Sequence, residues 1–263
     1  MAVNLLMPFV RRSHVAVCTE SRIDVAVVAF GGDEALVRQL KEFGVFVLVM
    51  VGTEHQAHRA IHWGADGLIS QGRESGGHLT GNTGASAFLP RALEVAAGRP
   101  VLLAGGIATA ADTRAALSAG ASGVIAGTRF LLTREANAHP EYQRRILAAH
   151  KTFRTTLFGL GWPAPHRVIA NAATDRWCHD DGSAKLPPRL INAGSAVLAR
   201  LPDRAIASVL RMQSPRLPLL SPTPPTAEMP ASSVDCAALY AGESALRMNS
   251  VISASQAVTD LAP

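Results

Sequence analysis

Eight consecutive residues, Gln71-Gly72-Arg73-Glu74-Ser75-Gly76-Gly77-His78, place a carboxamide, a carboxylate, a glycine pair and an imidazole together at the exit of an apolar run. An imidazole near pH 7 takes up a proton or stabilises a developing anion. The Gln71 amide offers a donor and an acceptor to a heterocycle. Three further exits carry glycine: Gly31-Gly32, Gly105-Gly106 and Gly127-Thr128. Glycine lets backbone N–H groups close on an anion, and a following helix N-terminus adds about half a positive charge. Gly76-Gly77, Gly105-Gly106 and Gly127-Thr128 therefore read together as a phosphate cradle. Taken singly, each pair also fits a tight turn, and a lone loop histidine also fits a surface position. His55, His58 and His62 share one helix, but no carboxylate completes a ligand set and no metal site is expected.

The elements that must position these residues alternate. Apolar runs at Ala2 to Leu6, Val25 to Phe30, Val45 to Val51, Gly67 to Gln71, Pro100 to Ala104 and Gly123 to Ala126 read as six buried strands. Between them, helical spacing covers Arg11 to Arg22, Glu34 to Phe43, a Thr53-capped stretch through Trp63, Ala85 to Ala97 and Ala110 to Ala119. Short strands alternating with amphipathic helices predict a parallel sheet with right-handed crossovers. Gly64-Ala65-Asp66-Gly67-Leu68-Ile69 recurs 56 residues later as Gly120-Ala121-Ser122-Gly123-Val124-Ile125, two strand–helix units on, as an α/β (β/α)8-type TIM barrel gives. Six strands fall short of eight, so either the first two strands are absent or the sheet is open; the strand at Ala2 has no lead-in, so the expected architecture is such a barrel lacking its first two strands. The barrel portion, strand equivalents 3 to 8, is placed at 1–133.

Residues 134–263 read as a helical appendage. Helices are expected at Glu141 to Phe158, Leu190 to Leu201 and Ala231 to Ala245, with irregular chain from Trp162 to Arg189 and a proline-rich linker at about 215–230.

Composition excludes several classes. With 263 residues, 48% hydrophobic and 17% charged, the chain can bury a large core, which excludes disorder throughout. The net charge of +5 comes from scattered Lys and Arg with no aromatic-interleaved basic run, so no nucleic-acid partner is expected. No apolar run approaches the roughly 20 residues of a membrane span. Cys18, Cys178 and Cys236 lack metal-ligand spacing and are odd in number, so reduced thiols in a cytoplasmic setting are expected.

The loop from Gln71 to His78, with Leu103-Ala104-Gly105-Gly106-Ile107 and Gly127-Thr128-Arg129-Phe130 at this spacing, resembles the nitronate monooxygenases, also called 2-nitropropane dioxygenase-like proteins. The resemblance runs from Val3 to about Ala149 and more loosely at Tyr240-Ala241-Gly242. It implies an FMN-dependent TIM barrel that oxidises alkyl nitronates with oxygen to a carbonyl compound and nitrite. By position, Asn4, Gln71 and Gly76 would contact FMN. Gly106 and Ile125-Ala126-Gly127-Thr128 would hold its phosphate, and His78 would be the acid/base or electrostatic partner of the substrate. Small-molecule nitronate and oxygen are the implied partners, with a homo-oligomer as one possible assembly. Three departures stand out: the family's first strands, with a Pro-Met turn against the flavin, have no counterpart before Met1; Ser75 replaces an alanine; and Gly242-Glu243 replaces Gly-Gln. Two other readings stay open. One is a flavin-type enoyl-acyl-carrier-protein reductase using NAD(P)H. The other is a truncated, non-catalytic remnant whose open strand edge pairs with another chain.

Overall fold

A computed structural model describes residues 1–200 and 213–263. Its centre is a six-stranded, wholly parallel sheet in the order β1 (Ala2–Leu6), β2 (Val25–Ala29), β3 (Phe46–Val51), β4 (Gly67–Gln71), β6 (Val101–Ala104) and β7 (Gly123–Ile125). Each of the six expected strands is present. The sheet curves as a parallel half-barrel with helices on its outer face, and β1 and β7 are its edges among the described residues.

The crossovers are helices α1 (Arg12–Glu20), α2 (Glu34–Glu42), α3 (Glu54–His62), α4 (Ala85–Ala96) and α5 (Ala110–Ser118). Their starts follow cap chemistry. Asp33 Oδ1 accepts from Leu36 N at 2.8 Å, and Thr53 Oγ1 accepts from Gln56 N at 3.2 Å. On α2 the buried face is Leu36, Val37 and Leu40, the apolar stripe that its spacing predicts. These helices pack on alternate strand residues such as Leu5, Val28, Val49, Leu68 and Leu103 to form the main core. The other face of the sheet carries a smaller cluster of Leu48, Ile69 and Ala104, with Phe46 and Ile125 exposed.

The repeat is a structural one. Gly64 and Gly120 both take positive φ, +87° and +98°, to end their helices. Ala65 N then donates to Ala60 O and Ala121 N to Ala116 O, while Asp66 N and Ser122 N reach back to Val47 O and Val101 O. Two units apart, the same turn delivers the same next strand.

Beyond residue 134 the chain departs from the expected run of helices. After the short helix α6 (Thr128–Leu131), helix α7 (Pro140–Leu147) stops early, and the stretch expected to continue it forms β8 (Phe153–Thr155). The stretch expected to be irregular contains β9 (His166–Val168) and α8 (Ala172–Trp177). Together with β5 (Gly77–His78), these strands build a small antiparallel sheet, β5-β9-β8. Strands of two or three residues are too short to show a period, so only tertiary pairing makes them. Helix α9 (Leu186–Ala193) covers part of the expected Leu190 to Leu201 helix, and Leu201 lies outside the described residues. In place of a helix over 231–245 there are two 3-10 turns, Ala231–Asp235 and Glu243–Arg247, with extended chain between them. There Tyr240 bridges Val168, and Gly242 is extended at ψ 170°. The proline-rich stretch is packed: Leu220 is fully buried, and Leu160 N donates to its carbonyl. The last helix, α10 (Ala254–Leu261), returns to the barrel side, where Leu261 joins the main core.

Candidate functional site

The cradle forms where β4, β6 and β7 end. A cleft of about 330 Å³ lies there, walled by Gln71, Ser75, Gly76, Gly105, Gly106 and residues 125–128, and closed from above by Tyr240, Gly242 and Ser244. Gly105 and Gly106 turn out of β6 at φ +112° and +77°, conformations that side chains rarely adopt. A Cβ built at Gly106 or Gly127 would meet nothing within 4 Å, so open space faces both backbones. Among the turn and loop hydrogen bonds of the described residues, none is donated by the N–H of Gly105, Gly106 or Gly127. The buried Ser75 hydroxyl likewise has no partner. Unspent donors around an open, glycine-lined cleft fit a bound oxyanion such as a phosphate.

The N-terminus of α5 is not part of this donor set. Asp112 Oδ2 already accepts from Ala108 N at 2.8 Å and Thr109 N at 2.9 Å. Its other oxygen, Oδ1, pairs with Arg247 at 2.9 Å, and the Arg247 guanidinium also donates to the carbonyl of Gly106. Hydrogen bonding from Arg247 and from the backbone holds the Asp112 carboxyl below its usual range despite partial desolvation.

The roof comes from far along the chain. Gly242 N donates to Thr128 Oγ1 at 3.0 Å and Glu243 N to Glu74 O at 2.9 Å. A Cβ on Gly76 would lie 2.5 Å from Gly242 N, so this crossing requires glycine. Tyr142, buried in a second hydrophobic cluster with Leu132, Leu239 and Ala241, anchors the segment by donating its hydroxyl to Tyr240 O. Arg167 ties it from below, pairing with Glu243 at 3.1 Å and donating to Arg73 O at 3.0 Å.

Gln71 lines the cleft, but its amide is engaged in the loop: Nε2 donates to His78 O at 2.9 Å, and Oε1 accepts from Thr80 N at 2.8 Å and Thr80 Oγ1 at 2.9 Å. It holds the histidine's backbone in place. Glu74 is engaged as well, its Oε2 accepting from Ala85 N at 3.0 Å at the start of α4, where Gly84 supplies no side-chain cap.

His78 itself is not in the cradle wall. It sits one step along, its backbone paired antiparallel with His166, in a cage of rings. The Trp162 indole is stacked on its imidazole, centroids 3.5 Å apart and planes 5° apart. His166, Tyr240 and Phe30 stand at 4.9, 5.6 and 6.1 Å. Its Nε2 is buried without a hydrogen-bond partner among the described residues. Burial, and then the neighbouring His166, push its pKa down to about 2. His166 Nε2 accepts from Phe158 N at 3.3 Å, which leaves Nδ1 to donate to Ala164 O at 2.9 Å. Burial lowers its pKa to about 4. Both rings are neutral at pH 7.

Of the residues singled out in the sequence, Gln71, Gly76, Gly106 and Ile125-Ala126-Gly127-Thr128 thus surround one cleft. His78 adjoins it. Asn4 does not share it: it is exposed on β1, at the opposite edge of the sheet from β7. Gly31 lines a separate aromatic cleft with Phe30, Trp63 and Trp162. Among the described residues no group of three or more His, Cys, Asp or Glu is arranged to hold a metal ion. Nor is any helix among them long and apolar enough to cross a membrane.

A family model described as nitronate monooxygenase matches residues 2–263. The chain belongs to the nitronate monooxygenase family. It is 35% identical over 177 residues to the (3aS,4S,5R,7aS)-5-hydroxy-7a-methyl-1-oxo-octahydro-1H-indene-4-carboxyl-CoA dehydrogenase of Mycobacterium tuberculosis, covering 65% of this chain and 48% of that protein. It is 38% identical over 128 residues to a nitronate monooxygenase of Pseudomonas aeruginosa, covering 46% and 36%. The chain thus spans less than half the length of these curated relatives. Two solved structures share the fold at 24% identity. FabK from Thermotoga maritima aligns at TM-score 0.73, over 99% of this chain and 74% of that one. A nitroalkane oxidase from Streptomyces ansochromogenes aligns at 0.71, over 99% and 70%.

Sequence reasoning missed Trp162, His166 and the depth of the Tyr240–Gly242 contact. No local period marks them, because each acts through a partner at least 80 residues away in sequence.

Proposed function

We propose that this chain is the cofactor-holding part of an FMN-dependent oxidoreductase that oxidises alkyl nitronates with oxygen to a carbonyl compound and nitrite. The observation that carries this reading is the cradle: three unspent N–H groups and two open glycine faces at consecutive strand exits, roofed by residues 240–244. Gly105, Gly106 and Gly127 would hold the flavin phosphate through their backbone, with Ser75 Oγ as a further donor. Gln71 and Gly76 would border the flavin's path, and Gln71 would also set the position of His78. A bound flavin supplies the electron acceptor that no side chain here provides.

His78 is suited to one of its two expected roles. With a pKa near 2 it takes up a proton poorly at pH 7, so in the described state it acts as a neutral hydrogen-bonding group toward an anionic substrate, through Nε2. A buried neutral imidazole needs little reorganisation when charge develops beside it. Trp162 and His166 exclude water from the ring.

We assign 1–133 together with α10 to the barrel portion and the rest of 134–263 to the appendage that roofs it. The expected setting is cytoplasmic, with oxygen and a small nitronate as reaction partners.

Flavin absorbance in purified or FMN-reconstituted protein, followed by oxygen uptake with propyl nitronate, tests the reading. Protein that stays colourless after reconstitution would overturn it and favour the non-catalytic remnant. A second reading, flavin chemistry on an acyl thioester, is favoured by two relatives, from Mycobacterium tuberculosis and Rhodococcus jostii, that are carboxyl-CoA dehydrogenases. Turnover of an acyl-CoA with an electron acceptor, or NAD(P)H oxidation with a crotonyl thioester, without nitronate-dependent oxygen uptake, would select it.

A further inference from the structure

We propose that the aromatic cleft beside β2 and β3 is a second binding site, for an organic anion with a flat or apolar body whose anionic group is held by Arg59. This cleft, also about 330 Å³, is walled by Phe30, Trp63 and Trp162, with Arg59 and Met50 among its lining residues. Met50 also lines the cradle cleft, so the two compartments meet at its side chain.

Three observations argue for a ligand. Arg59 lies with its guanidinium carbon 4.9 Å from the Trp63 ring centroid, and no hydrogen bond or ion pair engages it among the described residues. By contrast, Arg91, Arg145, Arg167 and Arg247 each face a carboxylate. A guanidinium stacked on indole keeps its N–H fork in plane and available for a carboxylate or phosphate. The neutral polar groups of the wall are already used: Gln56 Oε1 accepts from Gly52 N, its Nε2 donates to Thr80 O, and Thr80 Oγ1 donates to Gln71. Specificity therefore falls to the charge and the rings. Among the described residues Phe30 is one of three non-glycine residues at positive φ, +63°, an unfavourable backbone conformation adopted directly at the cleft, 4.9 Å edge-on to Trp162.

Carboxylates and phosphate monoesters share this chemistry, and the site does not depend on a flavin in the cradle. Isothermal titration of the full chain with 2-naphthoate, 2-naphthyl phosphate and neutral 2-naphthamide, with and without FMN, tests it. The naphthoate or the phosphate is expected to bind at least tenfold more tightly than the amide, and whichever is tighter names the preferred anion. Arg59→Gln should bring both anions to the level of the amide while leaving the amide unchanged, and Arg59→Lys should restore part of the difference. Trp63→Leu should weaken all three probes together. Equal affinity for the three probes, or anion binding untouched by Arg59→Gln, would overturn the proposal. Because the titration needs neither colour nor turnover, failure of the nitronate reading leaves its outcome intact.

Discussion

Gly242 and Thr128, 114 residues apart, share a buried 3.0 Å hydrogen bond that joins the roof of the cleft to the last turn of its cradle. Thr128 accepts this bond with its hydroxyl oxygen, which leaves its O–H to donate, while under the proposed reading the phosphate is held mainly by backbone N–H groups. Thr128→Val removes the acceptor and leaves the Gly242 N–H unpaired, at a cost of about 1–3 kcal/mol. Thr128→Ser keeps the bond and should stay within about 0.5 kcal/mol of the parent. Urea midpoints of the two variants decide this, and equal midpoints would mean the bond contributes nothing.

The glycines of the site divide into two kinds with opposite expected phenotypes. Gly127 has φ −88° and open space where a Cβ would stand, so Gly127→Ala should leave ligand-free stability within about 0.5 kcal/mol. The same methyl projects into the cleft and should weaken FMN binding at least tenfold. Gly76→Ala drives a Cβ against Gly242 N and the Ala241 carbonyl carbon, costing about 1–3 kcal/mol and weakening FMN as well. Thermal unfolding of ligand-free protein, set beside a flavin-fluorescence titration, separates the two.

Acid should destabilise the fold through its two neutral histidines. Both have folded pKa values below the unfolded value of about 6.5, so below that pH the unfolded chain binds protons that the folded one refuses. Their contribution is complete above about pH 6.5. It is lost as pH falls, over the window down to about 4 for His166 and about 2 for His78, at about 1.4 kcal/mol per pH unit for each ring. Urea midpoints at a series of pH values should fall on the acid side, and His78→Phe should shallow the slope. A slope unchanged by that substitution would contradict the burial of His78.

Much of this architecture was legible before any coordinates. Each of the six strands of the parallel sheet falls in an apolar run next to glycine or proline, the three-residue β7 being marked also by the repeat of the β4 turn, and α2 and α3 start at the expected Asp33 and Thr53 caps. The cleft was legible too, since the strand exits at Gly76, Gly106 and Gly127 converge when parallel strands neighbour one another. What was not legible is the β5-β9-β8 sheet and the crossing of residues 240–242. Ala231 to Ala245 has helical composition, yet pairing of Tyr240 with Val168 and of Gly242 with Thr128 overrides that propensity. Asn4, assigned by resemblance alone, lies on β1 at the other edge of the sheet from β7, a distance that no local pattern in the sequence sets.

Trp162 covers His78 from the appendage, and removing it should return the ring to water. Trp162→Ala is expected to raise the His78 pKa toward the ordinary imidazole range, as read by NMR titration of the ring protons. Under the proposed reading, His78→Ala lowers kcat for propyl nitronate by about 10²-fold or more. A ring that still does not titrate in Trp162→Ala would place the source of its low pKa elsewhere.

The roof also dates the site within the life of the chain. During synthesis the strands and turns of the cradle leave the ribosome long before Tyr240-Ala241-Gly242, and Arg247, which donates to Gly106 O, comes 141 residues after its partner. A nascent chain paused before residue 240 therefore presents a floor without a lid. Under the proposed reading, tight capture of a cofactor becomes a late event in biosynthesis, and a flavin retained by released protein would report that the C-terminal segment has reached its place.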